Sequence, residues 1–408
     1  MKKRILLFFI ILSQVTFAQS VKKTMKRLPD TGQNTSYTNT FGEDNDYSFN
    51  VPFYINNGDG TITDTITGLM WQRTDGGEMT IDSAHKYVQS LTLATYSDWR
   101  LPSIAESFSL LNLQMMNPAL NILYFPNTTA EYWWCLDTAF NNPSKIWVTN
   151  AGGGQGPHPK SETISAGGNK RFHTRAVRDI NIPSIITQRF TDNGDSTITD
   201  NLTGLTWQKF GTNDTMSWEN ALQRAESSTT ANYTDWRLPN IKELESINNV
   251  KANAPSVYTT FFPNLKAANY WSNTTQFNHS TNAWYIDFKN FGLTTYMDKS
   301  ARSAYIICVR NINKSTTAIT SQTTTNKVVA FYCNENKSLT ILPSQQFKNS
   351  LLSVFNSSGQ QIFTTTITGI NSAEKFEIPL PPLTTGIYTY SLKNDGQISS
   401  GKFSVNNY

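Results

Sequence analysis

Charge is scarce in this sequence. Asp, Glu, Lys and Arg make up 16% of 408 residues and the formal net charge is +4. So neutral a balance excludes a nucleic-acid partner held through phosphates. Cysteine is scarcer: Cys135, Cys308 and Cys333 cannot all pair, and each falls in a different module. No disulfide framework can be read, and the three are expected to be small buried apolar groups. The four histidines, His85, His158, His173 and His279, stand near no Ser or Cys in a recognisable nucleophile motif. Long apolar runs are missing as well. Beyond residues 5–12 nothing approaches the roughly 18 residues of a membrane-spanning helix. That short run follows Lys2-Lys3-Arg4 and precedes Thr16-Phe17-Ala18, the layout of a secretory signal peptide over residues 1–18. No cysteine follows it to take a lipid anchor.

What the sequence does have is one module written twice. Asn57-Gly58-Asp59-Gly60-Thr61-Ile62-Thr63-Asp64 returns as Asn193-Gly194-Asp195-Ser196-Thr197-Ile198-Thr199-Asp200, and Thr67-Gly68-Leu69-Met70-Trp71-Gln72 as Thr203-Gly204-Leu205-Thr206-Trp207-Gln208. Words recurring in order mark tandem units. Asp98-Trp99-Arg100-Leu101-Pro102 and Asp235-Trp236-Arg237-Leu238-Pro239 form a third pair. Tyr132-Trp133 is aligned with Tyr270-Trp271, and Trp147 with Trp284.

The Asn-Gly-Asp turns predict hairpins, because Gly and Asn tolerate positive φ. Two short helices follow in each copy. The first is capped by Thr80 or Ser217. The second starts at Ser103 or Asn240, with Glu106 or Glu243 at capping-box spacing. Short strands come next, so the fold class is α+β: two tandem modules over residues 28–178 and 183–312. Residues 28–52 are expected to extend the first module. Residues 313–327 are Ser/Thr-rich and read as a linker, and residues 328–408 carry regularly spaced strand formers that predict an all-β sandwich.

Two kinds of site suggest themselves. Asp192, Asp195 and Asp200 offer hard oxygen ligands for calcium, although the loop lacks EF-hand spacing and a plain hairpin turn competes. The Asp-Trp-Arg words allow a catalytic acid and base, against a structural reading in which a buried Trp and its charged neighbours position the second helix. Function tends to sit on loops carried by a fixed scaffold, and the copies diverge at residues 132–170 and 270–300. In the first module His158, Lys170 and Arg171, within a basic run that also holds Lys160, Arg175 and Arg178, are candidates for anionic ligands. In the second, Asn273, Trp284, Tyr285 and Asp287 are candidates for neutral sugars.

The three paired words, over about residues 28–310, resemble the Lcl C-terminal domain family of unknown function, named for a Legionella collagen-like adhesin. That resemblance implies a C-type-lectin-like fold, one also used by formylglycine-generating enzymes. Those enzymes rely on active-site cysteines, whereas each module here has one, at non-equivalent positions. The tail, with Val354-Phe355-Asn356-Ser357-Ser358-Gly359, Gly386-Ile387-Tyr388 and Gly401-Lys402-Phe403, resembles the type IX secretion sorting domain of Bacteroidetes. This implies handling by the type IX machinery, then release or attachment at the outer surface. The expectation is a non-enzymatic, exported recognition or adhesion protein that binds glycans or extracellular polymers, with no cofactor unless calcium. A secreted enzyme using an unrecognised carboxylate site, and a ligand-free structural component, stand as alternatives. If the tail is the sorting signal, deleting residues 328–408 leaves the modules folded but held in the periplasm. Cell fractionation checks this, and a truncated chain still reaching the surface refutes it.

Overall fold

The computed structural model describes residues 20–47, 49–140, 142–162, 171–311, 329–333, 337–342, 350–356, 360–368, 376–384, 386–394 and 397–405. The expected signal peptide, the linker and Lys170 lie outside the described residues. Two compact units divide after Lys314. The first holds, for copy one, β1 (Val21–Lys23), β2 (Tyr54–Asn56), β3 (Thr61–Asp64), β4 (Leu69–Gln72), α1 (Ile81–Ser90), α2 (Ile104–Ser109), β5 (Tyr132–Thr138), β6 (Lys145–Asn150), β7 (Gln155–Pro159), β8 (Phe172–His173) and β9 (Val177–Asp179). Then β10 (Ser184–Ile186) leads into copy two, with β11 (Phe190–Asp192), β12 (Thr197–Asp200), β13 (Leu205–Gln208), α3 (Trp218–Glu226), α4 (Ile241–Ser246), β14 (Asn269–Thr275), β15 (Asn282–Asp287), β16 (Leu293–Asp298), β17 (Ala304–Tyr305) and β18 (Val309–Asn311). The described chain is rich in strand, with four short α-helices.

The repeated words do local work. Asp59 accepts from the amide and hydroxyl of Thr61 at 3.0 and 2.6 Å, and Asp195 from those of Thr197 at 3.1 and 2.6 Å. Gly58 and Gly194 both take φ +79° there, where a Cβ is disfavoured. Both second helices carry complete capping boxes, Ser103 with Glu106 and Asn240 with Glu243. Thr80 caps α1 through its side chain, whereas Ser217 holds the same place before α3 without a side-chain bond.

The Asp-Trp-Arg word is structural. Trp99 and Trp236 are buried, each indole donating to a loop carbonyl, Tyr96 at 3.1 Å and Thr230 at 2.9 Å. Arg100 forks onto Glu106 at 2.7 and 2.8 Å, and Arg237 onto Glu243 at 2.6 Å through both nitrogens. Each arginine also reaches the closing strand, Asp179 or Asn311, at 2.7 Å. The aspartates pair elsewhere, Asp98 with Arg178 and Asp235 with Arg310. Although burial opposes its charge, Glu243 holds the Arg237 pKa above the ordinary value.

Each copy closes a small sheet, β2 to β3 to β4 to β9 and β11 to β12 to β13 to β18. The remaining strands join into one eight-stranded sheet in the order β17, β14, β15, β16, β7, β6, β5, β8. Equivalent strands lie at mirrored positions about the antiparallel seam between β7 and β16, where Gln155 faces Thr294. One apolar cluster runs through both copies, uniting Trp71, Phe108 and Trp133 with Trp207, Leu244 and Trp284, and α2 packs beside α4. Register also corrects the alignment at β5: Trp134, not Trp133, matches Trp271. Their indoles donate to Met79 and Met216 carbonyls at 2.8 and 2.9 Å.

Residues 28–52 were expected to extend copy one, but this stretch, with β1 before it, straps both copies. Strand β1 pairs with β10. Leu113 N donates to Thr31 O at 2.9 Å, on copy one's side. On copy two's side, Gln33 exchanges bonds with the Thr275 backbone at 2.6 and 3.1 Å, and Thr274 donates to Asp44 at 2.6 Å. The buried Lys242 ammonium donates to Asp30 O and Ser109 O, both at 2.8 Å, joining strap, copy one and copy two. This reach escapes sequence reading because the strap is polar and unrepeated.

The second unit has β19 (Val329–Cys333), β20 (Ser338–Leu342), β21 (Ser350–Phe355), β22 (Gln361–Ile367), β23 (Phe376–Pro379), β24 (Gly386–Asn394) and β25 (Gln397–Val405). They form a three-stranded sheet of β19, β20 and β23 and a four-stranded sheet of β22, β21, β24 and β25. Leu339 and Ile378 from the first share a core with Leu352, Val354, Tyr390 and Val405 from the second. Strand β19 lies beyond the runs expected from sequence.

Two stability measurements test this construction. Arg237→Ala leaves Glu243 buried without its cation and costs about 3–5 kcal/mol. Because the core is shared, residues 20–311 unfold in one transition in denaturant, followed by tryptophan fluorescence. A separate early transition for one copy would contradict the shared core. The second test concerns Glu245, whose carboxyl burial pushes up from 4.5 to about 8, outweighing the Asn248 amide that donates to it. Its folded pKa is raised, so the native state holds a proton that the unfolded chain releases. That contribution is complete below about pH 4.5 and is lost as pH rises through about 8. Glu245→Gln flattens this fall in stability between pH 5 and pH 8.

Candidate functional site

The loop joining β6 to β7 is Gly-rich in copy one and lies against copy two. Asn150 N donates to Gly154 O at 2.7 Å and Gly153 N to Asn150 O at 2.9 Å, folding residues 150–154 into a tight turn. Gly153 takes φ +106°. A Cβ there would stand 2.9 Å from Leu113 and 3.2 Å from the Trp284 ring. Only glycine lets copy one approach Trp284 so closely. The exchange is reciprocal, since Trp147 of copy one packs with Phe291, Leu293 and Val250 of copy two.

Beside this turn a groove of about 280 Å³ opens, with Asn150, Gly156 and His158 on one wall and Trp284, Thr295 and Tyr296 on the other. Tyr296 is 44% exposed, and its ring meets Trp284 edge-on at 5.4 Å. The His158 ring lies 4.5 Å from that of Tyr132, and its Nδ1 is 3.1 Å from Glu162. The groove thus presents an aromatic face beside amide, imidazole and hydroxyl groups.

Of the residues expected to bind ligand, His158 and Trp284 come together here, Trp284 only by its edge because it is otherwise buried. The others are dispersed. Asn273 is buried and donates to Gly42 O at 3.2 Å, so it fastens the strap. Tyr285 packs edge-on against Trp271 at 6.2 Å, in a separate apolar cluster. Asp287 accepts from the amides of Lys289 and Asn290 at 2.9 and 3.3 Å, capping a turn. Arg171 pairs with Glu78. The wider basic run dissolves too: Arg175 is buried and donates to Gln72 O at 2.8 Å, while Arg178 pairs with Asp98.

The calcium candidates do not converge. Asp192 pairs with Lys209 at 2.6 Å, Asp195 caps its own turn, and the fully buried Asp200 accepts from Leu202 N at 2.9 Å and faces Arg189 at 3.4 Å. Among the described residues no three His, Cys, Asp or Glu side chains surround a common metal position. Asp75 forms a closed knot instead, 2.9 Å from His173 Nδ1 and accepting from Thr128 and the Trp133 indole. Although burial works to raise it, His173, Arg175 and Thr128 hold that carboxyl down to about 2. Burial pushes the Cys308 thiol up to about 12 and raises that of Cys135 as well, and both are free. The Cys333 side chain lies outside the described residues.

Sequence reasoning missed Asn150, Thr295 and Tyr296. Tyr296 pairs across from Trp284 as Pro157 does from Trp147. The hairpins differ in length between copies, so only strand register reveals that equivalence.

The profile of the Lcl C-terminal domain matches residues 60–178 and 196–310, more than half of the chain, and that of a secretion system C-terminal sorting domain matches residues 334–406. No curated protein matches. Among solved structures, CopC from Methylosinus trichosporium OB3b is 19% identical, over 20% of this chain and 99% of that one, with a TM-score of 0.17. A beta-glucuronidase of Parabacteroides merdae is 16% identical, over 19% of this chain and only 12% of that one, with a TM-score of 0.13. At such scores neither likeness bears on function. The sorting domain directs the chain through type IX secretion to the outer surface or the extracellular space, and among the described residues no helix is long and apolar enough to cross a membrane.

Proposed function

The chain belongs to the Lcl C-terminal domain family, and we propose that it works outside the cell as a non-enzymatic recognition protein. Its ligand is a neutral glycan or similar hydroxyl-rich polymer, seated in the groove at the seam. The observation that carries this reading is the groove's composite origin. The exposed Tyr296 of copy two and the Asn150 and His158 of copy one line one space, beside the Gly-rich turn of copy one. An exposed ring flanked by polar groups suits the apolar face and hydroxyl rim of a pyranose. The order of hairpin, two helices and sheet supports a C-type-lectin-like reading of each copy, and the residues once considered for catalysis serve as caps, ion pairs and core. An address outside the cell gives such a site access to polymers.

Binding of the intact chain to an array of neutral and charged glycans tests the proposal. Tyr296→Ala removes an exposed ring, so folding is retained and affinity for the bound glycan falls about tenfold. Unchanged binding in Tyr296→Ala, or no glycan bound by the wild type, removes the groove as the recognition site.

A further inference from the structure

The two copies differ at a second place, where the last residue of each Thr-Gly-Leu-x-Trp-Gln word meets the first helix or the turn that follows it. In copy one this place is closed. Tyr87 stands seven residues after the cap Thr80, and its hydroxyl accepts from Gln72 Nε2 at 2.6 Å. Its ring lies so near the following loop that a Cβ at Gly76 would come within 2.7 Å of it. In copy two the residue seven after the cap Ser217 is Arg224. Gln208, the partner of Gln72, turns instead to Ser228 and Thr230, at 2.6 and 2.9 Å. The loop from this Gln to the following Met, Gln72 to Met79 in one copy and Gln208 to Met216 in the other, is one residue longer in copy two.

The result is a cavity of about 740 Å³ lined by Gln208, Phe210, Asp214, Arg224, Ser228 and Thr230, among others. That volume is within the range of ligand pockets. Phe210 is 44% exposed, Arg224 is exposed, and among the described residues Arg224 makes no ion pair. Asp214 lines the same wall but is not within ion-pair distance of it.

We propose that this pocket of copy two binds a carboxylated sugar of the hexuronic acid class. A free guanidinium takes a carboxylate through two parallel hydrogen bonds, a geometry that a lone hydroxyl cannot match. The Asp214 carboxylate and the hydroxyls of Ser228 and Thr230 accept from or donate to ring hydroxyls, and the Phe210 face covers the apolar side of a pyranose. Copy one cannot do the same, because Tyr87 fills the space and brings no cation. The preference for anions therefore lies in copy two, opposite to what the basic run of copy one suggested. This site shares no residue with the seam groove and does not depend on it.

Isothermal titration of the intact exported chain with galacturonate, glucuronate and mannuronate, as monomers and trimers, and with neutral maltotriose, tests the assignment. The expected result is binding of at least one hexuronate that weakens with added salt and exceeds that of maltotriose. Arg224→Gln weakens it about tenfold or more, and Arg224→Tyr, which rebuilds the plug of copy one, abolishes it. Both variants keep the wild-type melting temperature because the side chain is exposed, and Tyr296→Ala leaves hexuronate binding unchanged. Failure of the wild type to bind any hexuronate overturns the proposal, as does undiminished binding by Arg224→Tyr.

Discussion

Each copy hangs on one arginine, half-buried at Arg100 and buried at Arg237. Arg100 and Arg237 grip the glutamate of a capping box with both terminal nitrogens and reach on to the closing strand, while their backbones bridge to Val177 and Val309. Three elements are thereby fixed at a point: the turn before the second helix, the helix start, and the last strand, which is 79 residues away in copy one and 74 in copy two. Such a fork is costly to break because it leaves a buried glutamate, Glu106 or Glu243, without its partner. With the second helices so fixed, α2 and α4 meet, and the central sheet can form across them.

Duplication here yields one body. The copies share a core and a continuous sheet, and each covers a tryptophan of the other, Trp284 under the Gly153 turn and Trp147 under Phe291 and Leu293. A strap of polar sequence then ties both together through Lys242, Gln33 and Asp44. Once the pairing is symmetric, function is free to reside in the departures from symmetry. The seam groove arises where one copy has a Gly-rich turn and the other an exposed tyrosine. The copy-two pocket arises where Tyr87 in one copy corresponds to Arg224 in the other.

The sequence by itself determined the local vocabulary. The hairpin turns, the helix starts, the burial of Trp99 and Trp236 and the sorting tail were legible because each depends on residues within a few positions of one another, and repetition separated signal from chance. Candidate site residues were less legible. His158 and Trp284 do meet, but Asn273, Tyr285, Asp287, Arg171 and the calcium candidates each serve a neighbour visible only in three dimensions. Tertiary structure alone decided that the copies pair across β7 and β16, that residues 20–52 reach copy two, and that Trp134 rather than Trp133 matches Trp271. The physical reason is range. Turn and cap chemistry is local and written in residue type, whereas seam, strap and pocket depend on which distant surfaces become neighbours, and a polar side chain reads the same in sequence whether it faces water or a carbonyl 212 residues away, as Lys242 does.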